Sequence, residues 1–116
     1  MGGTGTSPNP VEILLSSLGQ CLAVGYAAAA TVQGVKLNSL KIDLEGDLNL
    51  LPFLGLGKKG DHAGYNGVTI NINIYSDGSK EQIEVIHEHV IGTSPVGTTL
   101  QNPVPLVYNL ISTNKK

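Results

Sequence analysis

Apolar residues dominate one continuous stretch near the start of the chain, from Pro10 to Gln33. Only Glu12 is charged in this stretch, and its polar residues are sparse and mostly small. Asn9 and Pro10 are typical of a helix start and Gly34 of a helix end, so the pattern predicts a helix of about 36 Å, at about 1.5 Å per residue. A helix that is apolar on nearly all sides is a buried core helix or a membrane span.

The residues around this helix disfavour the membrane alternative. The apolar run from Leu18 to Val32 is shorter than the roughly 20 residues that a span requires, and Gln20 lies inside it. No basic leader precedes the run and no aromatic belt flanks it. We therefore predict the core helix of a soluble, cytoplasmic protein. Gly19 and Gly25 lower helix propensity, which indicates close packing against a sheet or against the same helix of a second chain.

Alternating apolar and polar residues predict three strands after this helix. They lie within residues 35–50, 68–75 and 104–111, and Pro105 places the start of the third at a sheet edge. Gly46 interrupts the first pattern, which predicts a bulge or a close approach. Residues 51–67 are rich in glycine and predict a long loop, from which Leu54 and Leu56 are expected to reach back to a core or an interface.

Two further helices are predicted between the second and third strands. Ser79 and Gln82 form a capping-box pattern, so a helix is expected from there to about Ile91, ended by Gly92. Ser94 and Pro95 are typical of the start of another, shorter helix. The first of these helices should bury one set of residues and expose another: Ile83, Ile86 and Val90 against Glu81, Glu84 and Glu88. The fold class is α+β, with a long core helix against a mainly antiparallel sheet.

The composition and net charge of the chain limit the kinds of molecule that it is expected to bind. The 116 residues suffice for one domain, and a net charge of −2 with 14% charged residues provides no electrostatic surface for nucleic acid or an anionic membrane. The seven basic residues are all lysines. The glycines Gly2, Gly3 and Gly5 predict a flexible lead into the helix rather than a phosphate loop, because no strand precedes them.

Cys21 is the only cysteine and the one candidate nucleophile. Thiol chemistry requires the thiolate, which a nearby cation, metal or helix N-terminus stabilises. Cys21 lies about three turns into its own helix, too far to benefit from that N-terminus. Taken alone, these residues favour a buried and inert cysteine over a reactive one. Ser94 is interpreted as a helix cap rather than as a nucleophile.

The three histidines do not form a metal-binding pattern. His87 and His89 lie two positions apart on a predicted helix, so their side chains point about 200° apart. They are expected on a solvated helix face, and His62 in the loop. We predict no metal and no cofactor.

The order and spacing of several motifs resemble the OsmC/Ohr family of osmotically inducible and organic hydroperoxide resistance proteins. They are Asn9-Pro10-x-Glu12 followed by Cys21 in a small-residue helix, the strand near Gly46-Asp47, the strand 68–75, the helix from Ser79, and Ser94-Pro95-Val96. The resemblance implies a redox protein of oxidative stress that reduces organic hydroperoxides or peroxide. It also implies an intertwined homodimer with sites at its interface, and it matches Cys21 to the peroxidatic cysteine.

Four departures from the family pattern qualify that implication. Ser94 occupies the position of the resolving cysteine, and the chain contains no arginine to stabilise the thiolate. Val11 occupies the position of the active-site glutamate, which leaves the adjacent Glu12 as a secondary candidate. The single domain, residues 1–116, is expected to lack the family's N-terminal strands. Two hypotheses follow: a one-Cys peroxidase that uses an external thiol, or a non-catalytic dimer that binds a small apolar ligand between its subunits.

Overall fold

A computed structural model describes residues 9–113, and its longest element is the predicted apolar helix. Helix α1 spans Pro10–Gln33. Asn9 Oδ1 accepts from the backbone N–H of Glu12 at 2.9 Å, and Glu12 Oε1 accepts from that of Asn9 at 3.0 Å. Gly34 ends the helix in the left-handed conformation, at φ 70°, which favours glycine. Both predicted ends are confirmed, while the lead-in with Gly2, Gly3 and Gly5 lies outside the described residues.

One face of α1 forms the centre of the core. Its buried residues recur every fourth position, which places them in one stripe along the helix: Leu18, Leu22, Tyr26 and Ala30. This stripe contributes to packing of α1 against the sheet and both other helices, and each large side chain it buries stabilises the fold by about 1.5–3 kcal/mol. By length and composition alone α1 could cross a membrane, but these contacts make it a core helix. The opposite face remains exposed in the single chain, with Val24 at 70% and Val32 at 83%.

The glycines of α1 have the packing role that the sequence predicts. A Cβ added at Gly19 would lie 3.0 Å from Leu44 Cδ1 of the sheet. One added at Gly25 would lie 3.0 Å from Val90 Cγ1 of the next helix. Both distances are tighter than ordinary van der Waals contact, so each glycine allows an element to pack close to α1.

The sheet contains two antiparallel strands, β1 over Leu37–Leu48 and β2 over Tyr65–Ser76. Their register places Ile42 opposite Ile72 and Leu44 opposite Ile70. The half-buried apolar residues of both strands pack against the core. Strand β2 begins three residues earlier than predicted, because Tyr65 already pairs with Leu48.

Gly46 confirms the predicted close approach. A Cβ there would overlap ring carbons Cδ1 and Cε1 of Tyr65, so the aromatic ring lies where a side chain would otherwise be. The ladder shifts register between Asp47 and Leu48, immediately after this contact.

Two helices follow β2 and meet at Ser94. Helix α2 spans Lys80–Thr93 and begins with the predicted capping box of Ser79 and Gln82. Helix α3 spans Pro95–Gln101. The prediction that Gly92 ends α2 is wrong: α2 continues through Thr93, and Ser94 is at once its C-cap and the N-cap of α3.

The third strand is not formed by the described residues. Residues 103–113 are exposed and belong to no sheet, so the prediction of a strand at 104–111 is wrong for the single chain. Leu54 and Leu56 do not reach this core, since they are 60% and 68% exposed on the loop between β1 and β2, and their burial at an interface stays a prediction. Both segments therefore leave apolar side chains outside the core.

Candidate functional site

Cys21 lies on α1 where that helix faces the junction of α2 and α3. It is half-buried, and its Sγ lies 3.3 Å from Ser94 Oγ. Ser94 is buried, and its Oγ accepts a hydrogen bond from the backbone N–H of Gly97 at 3.0 Å. Accepting from Gly97 leaves the hydroxyl hydrogen of Ser94 free to point at the sulfur. A Cys21 thiolate can therefore accept a hydrogen bond from Ser94.

Two donors stabilise the anionic form of the sulfur. The hydroxyl of Ser94 lowers the pKa of the Cys21 thiol, and the backbone N–H of Val96 lowers it further. Partial burial disfavours the charged form but has the smallest effect, so the pKa of the thiol lies below its ordinary value. The thiolate is thus favoured by neutral hydrogen-bond donors at the start of α3, in a chain that contains no arginine.

Cys21 lines an open cavity of about 470 Å³. Its lining includes the polar residues Ser17, Gln20 and Thr93 and the apolar residues Val24 and Val90. Among the described residues, those lining it carry no charge. A small neutral molecule can therefore approach Cys21 without displacing an ion pair.

A larger cavity of about 670 Å³ lies between α1, β2, α2 and α3. Cys21 does not line this cavity, and Ser94 is the described residue that lines both. Most of its walls are apolar, and they include Leu14, Leu18, Leu22, Val68, Ile70, Ile72, Ile91 and Leu100. The thiol chemistry is assigned to the smaller cavity, because Cys21 lines it.

Tyr26 and His87 form a partly buried pair, and His87 lines the larger cavity. The side chain of Tyr26 is fully buried, and its hydroxyl lies 2.5 Å from His87 Nδ1. The rings are stacked, with centroids 6.0 Å apart and an interplanar angle of 18°. Burial raises the pKa of Tyr26. The expectation that His87 lies on a solvated face is therefore wrong, and the Tyr26–His87 pair was not predicted from sequence.

Tyr65 connects the start of β2 to the first turn of α1. Its hydroxyl donates to the carbonyl of Val11 at 2.7 Å. Burial raises the pKa of Tyr65, and the nearby negative charge of Glu12 raises it further. Glu12 itself completes the cap of α1 and lies about 14 Å from Cys21 along the axis, at about 1.5 Å per residue. The two side chains are not brought together.

The remaining histidines have separate surroundings. His62 Nδ1 lies 3.2 Å from the carbonyl of Gly64 within the loop, and His89 is exposed on α2. Within residues 9–113, no three His, Cys, Asp or Glu side chains are grouped so that they could hold a metal ion.

Comparisons with known proteins agree on one family. A model of the family described as OsmC-like protein matches residues 3–109. The crystal structure of an OsmC like protein from Mycoplasma pneumoniae matches with a TM-score of 0.71 and 21% sequence identity. The match covers 85% of this chain and 67% of that one, and at this identity it is a likeness of fold. No curated protein matches the chain.

Proposed function

The chain belongs to the OsmC-like protein family, and on that premise we propose that it reduces organic hydroperoxides through the thiol of Cys21. Family membership supports a stress-related protein with the OsmC fold. The reaction that we propose for this family member is a one-Cys peroxidase cycle. In that cycle Ser94 acts as a hydrogen-bond donor to the sulfur, at the position where the family has a second cysteine.

The first step transfers one oxygen atom to the sulfur. The Cys21 thiolate attacks the terminal oxygen of the hydroperoxide, the O–O bond breaks, and the alkoxide takes a proton from water to become the alcohol. The sulfur is oxidised to a sulfenic acid. Because this step consumes a thiolate, every donor that favours the anion raises the reactive fraction at neutral pH.

The second step requires a thiol from outside the chain. An external thiol condenses with the sulfenic acid and releases water, which leaves a mixed disulfide. A second external thiol then attacks that disulfide and regenerates the Cys21 thiol, while the two external sulfurs leave as a disulfide. Ser94 cannot take the place of a resolving cysteine, and the open cavity provides the approach for the external thiol.

One observation carries this proposal: the hydrogen bond between Cys21 and Ser94, together with the backbone N–H of Val96. It supports a thiolate without the arginine that the family resemblance leads one to expect. A hydrogen bond from a neutral donor to a charged acceptor is stronger than one between neutral groups. The arrangement therefore favours the charged sulfur over the neutral thiol.

The test measures consumption of cumene hydroperoxide by the full chain in the presence of a dithiol reductant. We expect catalytic turnover that is lost in Cys21→Ser. We also expect dimedone, which reacts with sulfenic acids, to label the wild-type chain once after a single equivalent of peroxide. Equal peroxide consumption by wild type and Cys21→Ser would exclude this function.

Ser17→Ala provides the matched control. Ser17 lines the same cavity as Cys21, but its hydroxyl donates to the carbonyl of Ile13 at 3.0 Å rather than to the sulfur. The proposal expects this variant to keep wild-type turnover. A loss equal to that of Cys21→Ser would attribute the activity to the cavity as a whole rather than to the thiol.

A second candidate function is non-catalytic binding of a small apolar ligand at a subunit interface. The large apolar cavity favours it, because ligand pockets of about 300–1,000 Å³ are typically lined by hydrophobic side chains with few polar groups. Isothermal titration with a medium-chain fatty acid discriminates between the two. Saturable binding in a chain that consumes no peroxide would favour this candidate.

The same proposal includes assembly as a homodimer in the cytoplasm. The exposed face of α1, with Val24 and Val32, supports a second chain as the missing neighbour of this helix. A thiol that must be regenerated by an external reductant is suited to a reducing compartment. The mass of the full chain in solution tests the first of these points.

A further inference from the structure

The loop between β1 and β2 carries a cluster of exposed apolar side chains. We name residues 50–57 the apolar turn. Its five large apolar side chains are between 42% and 68% exposed: Leu50, Leu51, Phe53, Leu54 and Leu56. Exposed apolar residues on a soluble protein are normally scattered singly, whereas these five lie within seven positions. A cluster of this kind marks an interaction surface.

The apolar turn has a defined backbone structure. The N–H of Leu54 donates to the carbonyl of Leu50 at 3.2 Å, and the N–H of Leu56 donates to the carbonyl of Leu51 at 2.9 Å. Gly55 lies between the two donors in the left-handed conformation, at φ 79°. This geometry is typical of the C-terminal end of a helix, so the segment forms a single closed turn.

Gly57 closes the apolar turn against its own start. A Cβ added at Gly57 would lie 2.9 Å from Cα of Pro52, so only glycine lets the chain pass this close to the proline backbone. These contacts lie within the segment itself. The turn therefore keeps its shape while its large side chains remain exposed.

The hydrogen bonds of the apolar turn suit an apolar environment. Backbone N–H and C=O groups that enter lipid without a partner are costly, because no water is present to replace the bond. Pro52 has no N–H to satisfy. Four N–H groups between residues 51 and 56 donate within the loop, those of Leu51, Leu54, Gly55 and Leu56. Most donors at the tip are thus paired before the turn meets another surface.

Two lysines directly follow the apolar turn. Lys58 and Lys59 are exposed, and the one acidic residue within 49–64, Asp61, accepts from the backbone N–H of Lys58 at 2.7 Å. The net charge of the whole chain is −2, but salt screens charges beyond about 8 Å at physiological ionic strength. A surface that meets this loop therefore responds to the two lysines more than to the net charge. The expectation drawn from that net charge does not apply to this loop.

We propose that the apolar turn inserts into the surface of an anionic lipid membrane. Its leucines and Phe53 enter the boundary between headgroups and acyl chains, about 5–10 Å deep. Lys58 and Lys59 bind the negative charges of the lipid headgroups. The protein then lies on the membrane and does not cross it, and α1 remains in the core.

The size of the apolar turn favours a lipid surface over a protein partner. A stable protein interface takes about 20–30 residues on each side and requires a matching shape. The apolar turn is one short segment, and a lipid surface adapts to it without a matching shape. Lysines beside inserted apolar side chains also complement the negative headgroups of an anionic leaflet.

The first test measures sedimentation of the full chain with sucrose-loaded vesicles. We expect binding to vesicles of equimolar phosphatidylserine and phosphatidylcholine. Binding to phosphatidylcholine alone should be weaker, and added salt should reduce the binding to the anionic vesicles. Absence of binding to either vesicle, or equal binding to both, would overturn the proposal.

Leucine variants locate the inserted segment. Leu54→Ser/Leu56→Ser is expected to lower the partition coefficient by about tenfold or more, since burial of one leucine side chain is worth about that factor. The control Leu106→Ser/Leu110→Ser removes two leucines that are 70% and 92% exposed elsewhere in the chain, and it should bind as wild type does. Equal losses in both variants would mean that the vesicles bind exposed apolar residues in general, which contradicts a site at the turn.

Lysine variants test the charge of the lipid surface. Lys58→Gln/Lys59→Gln is expected to lower binding to the anionic vesicles by about tenfold, because each lysine near such a surface adds to the attraction. The matched control is Lys36→Gln/Lys41→Gln, which removes the same charge from exposed positions near the start of β1. This control should keep most of the binding. A loss as large as that of the loop variant would assign the effect to net charge and refute the role of the loop.

A tryptophan in the apolar turn reports its surroundings directly, because the chain contains no tryptophan. The emission of Phe53→Trp is expected to shift to shorter wavelength with anionic vesicles and to be quenched by lipids with brominated acyl chains. Tyr75→Trp, at a position on β2 that is 70% exposed, should show neither change. Emission of Phe53→Trp that is already shifted without lipid, and that changes on dilution of the protein, would show a second copy covering the turn and exclude the proposal.

The inference does not depend on the thiol chemistry. Cys21→Ser is expected to bind vesicles as wild type does, although it should lose peroxide consumption. Vesicle binding without turnover would keep this inference alone, and turnover without vesicle binding would keep the proposed function alone.

Discussion

The hydroxyl oxygen of Ser94 lies 3.3 Å from the sulfur of Cys21, although 73 positions separate the two residues along the chain. Packing of α1 against α3 brings them together. Ser94 thereby acts twice: its oxygen accepts from Gly97 and caps α3, and its hydrogen is available to the sulfur. The cap fixes the position of the donor. If the Ser94 side chain rotated away from the sulfur, the hydrogen bond that caps α3 would also be lost.

Ser94→Ala is expected to raise the pKa of the Cys21 thiol, because the variant removes the donor with the largest effect on it. The measurement is the rate of alkylation by iodoacetamide as a function of pH. The rate at neutral pH should fall, and its midpoint should move to higher pH. Ser94→Thr keeps a hydroxyl and a cap, so it should stay close to wild type. An unchanged midpoint in Ser94→Ala would contradict the assigned hydrogen bond.

Ser94→Cys is expected to form an intrachain disulfide with Cys21 on oxidation. The side chains already lie within hydrogen-bonding distance, and a disulfide requires an S–S distance of about 2.05 Å. One equivalent of hydroperoxide should consume both thiols and yield one alcohol and one water. Thiol titration before and after a dithiol reductant measures this. Ser17→Cys also places a second thiol in the cavity but on the same helix, and it should form no disulfide: oxidation should stop at the Cys21 sulfenic acid and leave the introduced thiol free.

Tyr26→Phe is expected to destabilise the fold by about 0.5–1.5 kcal/mol, the net contribution of one hydrogen bond with a half-buried partner. The partner is His87, whose Nδ1 lies 2.5 Å from the Tyr26 hydroxyl. Urea denaturation followed by circular dichroism measures the change. Tyr75→Phe is the control, since Tyr75 is 70% exposed. Equal stability of both variants would show that the Tyr26–His87 hydrogen bond contributes nothing to the free energy of unfolding.

Stability is expected to fall at alkaline pH because the pKa of Tyr26 is raised in the folded state. The folded chain then holds its phenolic proton more tightly than the unfolded chain does. The contribution is complete below the ordinary pKa of about 10 and is lost as pH rises through the higher folded value. Burial of Tyr65 acts in the same direction. Tyr26→Phe should show a shallower alkaline decline, and an identical slope would exclude this linkage.

Gly46→Ala is expected to destabilise the sheet by about 1–3 kcal/mol, typical of overpacking. The new methyl group would overlap the Tyr65 ring. If the ring moves away, its hydroxyl gives up the bond to the Val11 carbonyl. Gly67→Ala is the matched control, because no atom lies within 4 Å of the added carbon. Thermal unfolding should lower the midpoint of the first variant and leave the second close to wild type.

Local patterns in the sequence predicted most of the helices and the paired strands. Asn9 and Gly34 mark the ends of α1 correctly because caps depend on side chains within one turn. Ser79 and Ser94 mark the starts of α2 and α3 for the same reason. Gly92 is a less informative signal, since α2 continues two residues beyond Ile91 and ends at Thr93.

Contacts between distant elements account for what the sequence did not predict. The interpretation of Cys21 as buried and inert weighed cations, metals and the N-terminus of its own helix, whereas the donors that lower its pKa are Ser94 and Val96 at the start of α3. The Tyr26–His87 pair likewise joins two helices that the sequence could not orient. One signal was available: a cap serine stands at the family's resolving position. Residues 104–111 have an alternating pattern, but within residues 9–113 they pair with no strand, so the predicted strand is not formed.

The residues at the two ends of the long connection between β1 and β2 are held in place by hydrogen bonds. Leu48 pairs with Tyr65 across the ladder, and the Tyr65 hydroxyl bonds to the Val11 carbonyl. None of the enclosed residues lines the cavity of Cys21. Each doubling of the loop length costs only about 0.6 kcal/mol of closure entropy. This connection is therefore a natural place to insert a fluorescent reporter or to open new chain termini while the thiol keeps its surroundings.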